Sequence, residues 1–236
     1  MTLTETEIRI VGGLAFFFIA YSVWMGQMTV TGLPDNYDNP VLALELVKDG
    51  KDINAIVGHQ DGAVCKFLKR NTYKDFGYIL IYAVFFVSLS LLLGRMNFSW
   101  AGWVGWLAAA CAILGAVLDL IEDRAMLKAI AGEASDSLAN NIRYASLAKW
   151  SFLFIFSFLV GLLLIARRDL FVIPAVLFLL AALLGMTGVI LNLLRPRFYW
   201  MFPAALVDLG LGVIFLAVAL TFWPGKFLDK FPAIGP

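Results

Sequence analysis

The sequence predicts an all-α protein: a polytopic transmembrane bundle of six spans, forming a single integral membrane domain over residues 1–236, with a cytoplasmic-side amphipathic helical segment between spans 1 and 2. Three observations predict it. Hydrophobic residues make up 61% of the chain and charged residues 15%, with a mean hydropathy of +0.86, which is more apolar surface than a water-soluble domain of this size can hide. Six apolar segments, near 8–26, 76–94, 101–121, 148–166, 171–193 and 199–223, each approach the roughly 20 residues that cross a hydrocarbon layer about 30 Å thick. The stretch 27–75 between the first two segments is polar enough to lie outside the layer, yet it carries helical patterning.

The first segment follows Glu5, Glu7 and a single cation, Arg9. A signal peptide would show a cationic start and a small-residue cleavage pattern, so this segment is expected to stay attached as a span. In the long loop, Asn39-Pro40 reads as a helix start with proline at the first position. Val41, Leu42, Leu44, Leu46, Val47, Ile53, Ile56 and Val57 then form a broad apolar face, interrupted by Asp49-Gly50-Lys51-Asp52. That interruption lacks the ordered acidic positions and closing glutamate of an EF-hand, so it is read as a turn between helical pieces. Asp61-Gly62 breaks the chain again. Val64, Phe67 and Leu68 among Lys66, Lys69, Arg70 and Lys74 make a basic amphipathic run, whose cations are expected to meet anionic lipid headgroups.

When alternate loops are assigned to opposite sides, 12 of the 18 Lys and Arg residues collect on the side of loops 27–75 and 122–147 and 6 on the other. The positive-inside tendency places those loops in the cytoplasm and both termini on the extracytoplasmic side. The formal net charge of +1 offers no basic excess for nucleic acid. Cys65 and Cys111 are too few and too differently placed for a disulfide framework or a thiolate metal site. His59, with Cys65 and Asp61 nearby, does not make a ligand-spacing motif. A Gly-rich phosphate loop, HExxH, GxSxG and paired CxxC motifs are all missing from the sequence.

Chemistry therefore has to come from polar residues within or at the ends of the spans, because an ionisable side chain in hydrocarbon costs at least a few kcal/mol. In span three, stepping back from Asp119 by helical turns reaches Gly115, Ala112, Ala108 and Gly105, and stepping forward reaches Glu122. In span five, Asn192 shares spacings with Gly188, Gly185 and Ala181; in span six, Asp208 shares a face with Ala204, Ala205 and Gly212. Small residues mark close helix packing, so these faces should point into the bundle. Asp75 opens span two with Tyr78 and Tyr82 following on one face, and Lys149 opens span four. Under the topology above, Asp75, Tyr82, Asp119, Glu122, Lys149 and Asn192 approach one leaflet, while Asp208 lies roughly 15 Å deep. The expected site is a cytoplasmic-side acidic cavity, with Asp123, Arg124, Arg195 and Arg197 as rim partners. The bland alternative is an ion-pair network that joins helices and binds nothing.

Ala43-Leu44-Glu45-Leu46, Asp75-Phe76 followed by Tyr82, Asp119-x-x-Glu122 and Lys149-Trp150, covering about 40–168, resemble a group of uncharacterised multi-pass inner-membrane proteins of bacteria. The resemblance implies a bacterial inner (plasma) membrane and supports treating the Asp, Glu and Lys residues as one constellation; it implies no activity, and cofactor and metal stay unknown. Three functions remain open: binding or translocation of a small cation, proton-coupled solute or lipid; a non-catalytic accessory or assembly subunit of a larger membrane complex; and an intramembrane lipid-modifying enzyme. A non-enzyme is favoured, with the lipid bilayer and either a membrane-protein partner or a second copy of the chain as partners.

Overall fold

A computed structural model describes residues 4–26, 28–34, 37–59, 62–166, 171–194 and 201–228. The described residues are all helical or in connections. Six long helices are apolar enough to cross a membrane: α1 (Glu5–Met25), α4 (Ala63–Leu93), α5 (Ala101–Ile130), α6 (Asp136–Ile165), α7 (Val172–Leu194) and α8 (Met201–Phe222). Two short helices, α2 (Pro40–Glu45) and α3 (Gly50–Val57), lie between α1 and α4, and α9 (Pro224–Leu228) follows α8.

The long helices form a closed ring, each packing on the next from α4 through α8, with α1 closing the circle between α8 and α4. Small residues allow these approaches. A Cβ on Gly105 of α5 would come within 2.7 Å of the Gly94 Cα just beyond α4, and one on Gly115 within 3.0 Å of Leu153 on α6. One on Gly185 of α7 would overlap the Phe154 ring of α6. The small-residue faces of spans three and five thus do meet neighbouring helices.

The interior is filled with aromatic rings rather than open. Phe18 of α1 packs on Phe85 and Phe86 of α4, and Phe86 stacks on Phe156 of α6 at 4.3 Å between ring centroids. Large apolar side chains such as Trp103, Trp106, Val207 and Leu183 point outward, as lipid-facing positions do.

α4, α5 and α6 are longer than their apolar segments. With 30 or 31 residues each they run about 45 Å, well beyond a hydrocarbon layer of about 30 Å. The excess lies at the end where α1 finishes and α4 begins, and there α2 and α3 cover it. This capped end has its own apolar core: Leu44, Leu46, Val47, Ile53 and Ile56 of the cap pack with Leu68, Met126, Ile130 and Ile142 of the long helices. Local chemistry fixes the cap. The Asn39 side chain accepts from the backbone of Val41 and Leu42 with Pro40 in the first turn, and the Asp49 side chain accepts from Lys51 and Asp52 at the start of α3. The Gly50 amide donates to Asp136 at the start of α6, 2.9 Å away, docking α3 on the α5–α6 connection. The Asp49–Asp52 stretch is thus a turn that starts a helix.

Candidate functional site

The basic run that opens α4 is its first three turns. Lys66, Lys69 and Arg70 are exposed. Lys74 is half-buried: its Nζ sits 3.9 Å above the Trp24 ring and donates to the Trp24 carbonyl at 3.0 Å, a cation at the carboxyl end of α1.

Where α4, α5 and α6 pass beneath the cap, the structure assembles a buried charge cluster around Lys149. This lysine is 3% exposed, and its ammonium meets Glu45 of α2 at 3.4 Å, Asp119 of α5 at 3.0 Å and Glu122 of α5 at 2.5 Å. Asp119 and Glu122 share a face of α5 because they are three residues apart, and Lys149 reaches them from the neighbouring helix. Glu45 arrives from the cap as the last residue of α2, carried there by the burial of Ala43, Leu44 and Leu46.

The remaining carboxylate oxygens are also engaged. The Tyr82 hydroxyl of α4 donates to Asp119 Oδ2 at 2.8 Å, the Trp150 indole donates to Glu45 Oε2 at 3.0 Å, and Ser146 Oγ lies 2.7 Å from Glu122 Oε1. Lysine has three N–H donors, and here three carboxylates surround them.

Two further carboxylates adjoin this network. One oxygen each from Asp75 of α4 and from Asp119 and Asp123 of α5 lie within 4.8 Å of one another. Asp123 is 2% exposed, and its Oδ2 has no hydrogen-bond partner among the described residues. Three carboxylates thus meet one ammonium, and two more adjoin it through Asp119. Excess negative charge in a desolvated cluster is costly unless positive charge offsets it.

Of the residues singled out from the sequence, Asp75, Tyr82, Asp119, Glu122 and Lys149 come together. Asn192 is buried elsewhere: Arg143 of α6 donates to its backbone carbonyl at 2.7 Å, with the Asn192 Oδ1 at 3.4 Å, a bond between α6 and α7 that does not include Lys149. Asp208 is half-buried on α8, and among the described residues no hydrogen bond or ion pair joins it to the cluster. Arg124 is exposed, and Arg195, Arg197 and Asp61 lie outside the described residues. Cys65 and Cys111 are both buried free thiols. Glu45 and Trp150, which stand in the motifs Ala43-Leu44-Glu45-Leu46 and Lys149-Trp150, join the site although neither is among the candidate site residues named from the spans. The signal for Glu45 was available, as the one acidic residue set within the apolar run Val41–Val47.

No family model, curated protein or solved structure matches this chain.

Proposed function

We propose that this chain is a cation-binding integral membrane protein, whose acidic cluster takes up a small cation at the capped end of the bundle. The observation that carries the reading is the imbalance beneath the cap, where Glu45, Asp119 and Glu122 meet Lys149 while Asp75 and Asp123 adjoin Asp119 with no ion pair of their own among the described residues. A purely structural network would need only enough acids to match its base, and an excess of buried carboxylates costs stability unless a cation or protons compensate it. The distribution of Lys and Arg supports a cytoplasmic orientation of this end. The aromatic packing of Phe18, Phe85, Phe86 and Phe156 fills the interior of the ring, which favours holding an ion over passing it straight through.

The test is thermal unfolding of the protein in lipid nanodiscs, titrated with Na⁺, K⁺, Mg²⁺, Ca²⁺ and Mn²⁺ against choline chloride at matched ionic strength. At least one of these cations should raise the midpoint, as a ligand specific for the folded state does. Asp119→Asn should abolish that dependence. Identical midpoints in every salt would overturn the reading and leave the network as a strut between helices.

A further inference from the structure

The cluster divides into two parts with different chemistry. Around the Lys149 ammonium, Glu45, Asp119 and Glu122 are each within ion-pair distance, so its donors are committed. Asp75 and Asp123 receive none of them: among the described residues neither makes an ion pair, and Asp123 Oδ2 is buried without a donor. Carboxylate oxygens brought this close repel one another, and lysine does not reach all of them.

The geometry suits a metal. Hard divalent cations bind oxygen at about 2.0–2.6 Å, so two oxygens on one ion can stand up to about 5 Å apart. The Asp75, Asp119 and Asp123 oxygens, mutually within 4.8 Å, fall inside that reach. Asp119 and Asp123 are one turn apart on α5, and Asp75 faces them from α4. A second, independent observation points the same way. Asn71 is one turn before Asp75 on the same face of α4, is 9% exposed, and its side-chain oxygen is buried with no donor among the described residues. A buried amide oxygen without a partner is costly, and amide oxygens are ordinary neutral ligands of hard cations.

We infer that Asp75, Asp119 and Asp123 hold a hard divalent cation of the Mg²⁺, Mn²⁺ or Ca²⁺ class, with Asn71 as the adjoining neutral oxygen donor. The inference rests on the cation-binding reading above and specifies its charge and its ligands. Asp119 then joins the two parts, one oxygen toward Lys149 and its carboxylate shared with the metal. The absence of sulfur and imidazole from the set argues for a hard ion over zinc or copper.

The experiment uses the full-length protein in nanodiscs, stripped with a chelator and titrated with Mn²⁺, with the free ion read by electron paramagnetic resonance. The expected result is one Mn²⁺ per chain, displaced by Mg²⁺ or Ca²⁺ and not by Na⁺. Asp75→Asn and Asp123→Asn should each weaken binding by more than about tenfold, while Asp123→Glu, which keeps a carboxylate, and Asp208→Asn, which lies outside the cluster, should retain it. Asp75 is only half-buried, so its variant tests the site even if Asp123→Asn fails to fold. Mn²⁺ binding indifferent to Asp75→Asn and Asp123→Asn alike would place the metal elsewhere and overturn the inference. Stabilisation by Na⁺ or K⁺ without Mn²⁺ binding would overturn it while leaving the cation-binding reading standing, and no effect of any cation would end both.

Discussion

Glu45 and Lys149, 104 residues apart in sequence, meet at 3.4 Å, and through this pair a short helix outside the apolar spans is tied to the interior of a membrane bundle. The Trp150 indole holds the other Glu45 oxygen, so the carboxylate bridges two consecutive residues of α6. The cap is thus bound to the bundle by apolar packing together with a charge at its centre.

Glu45→Gln should loosen the cap without unfolding the ring. Cys65 is buried where α4 passes beneath the cap, 4% exposed, with its thiol against the Ile130 carbonyl at 3.8 Å. In a Cys111→Ala background, the rate at which a maleimide modifies Cys65 should rise several-fold in the Glu45→Gln variant, since local opening governs access. Unchanged labelling would show that apolar packing alone holds the cap.

Lys149→Met removes the one cation that three buried carboxylates share. Stability should fall by about 3–5 kcal/mol, the cost of leaving a buried charge without its partner. Thermal or denaturant unfolding in lipid checks this. Adding Glu122→Gln to the same variant should recover part of the loss, because it removes one uncompensated carboxylate.

Tyr82→Phe deletes the hydroxyl that donates to Asp119 at 2.8 Å and leaves the ring packing in place. A cost of about 1–3 kcal/mol is expected, as for a hydrogen bond to a buried charged acceptor. If the Asp119 oxygen also serves a metal, Mn²⁺ affinity should change in the same variant, which a loss of packing would not produce.

Gly185→Leu should be among the most damaging single changes in the bundle. The position where its Cβ would stand is taken by the Phe154 ring, which itself packs against Trp150 and Phe202. Overpacking commonly costs about 1–3 kcal/mol and more where nothing can yield. Gly13, whose Cβ would meet nothing within 4 Å, should accept the same substitution with little effect on the melting midpoint.

The spans were legible because hydrocarbon imposes one strong rule on composition, and six apolar stretches follow it. The convergence of Asp119 and Glu122 with Lys149 was legible for a related reason: charges at the ends of successive antiparallel helices fall at one level. Helix ends were less visible, since α4, α5 and α6 continue through amphipathic sequence that an apolar count takes for loop. Asn192 and Asp208 shared the small-residue faces, yet only depth and the neighbouring helix decide what such a face meets. Asn192 met Arg143 instead. Glu45 stands out in the sequence as one acid in an apolar run, but its pairing with Lys149, 104 residues on, leaves no local pattern.

The capped end also sets an order on biosynthesis. Ribosomes deliver α2 and α3 well before the helix bearing Lys149 and Asp136, so the nascent cap has no seat until three further helices have left the translocation machinery. Until then Glu45 lacks the base it pairs with and Gly50 the carboxylate that docks it, so a chain arrested after α5 would carry a cap without either anchor.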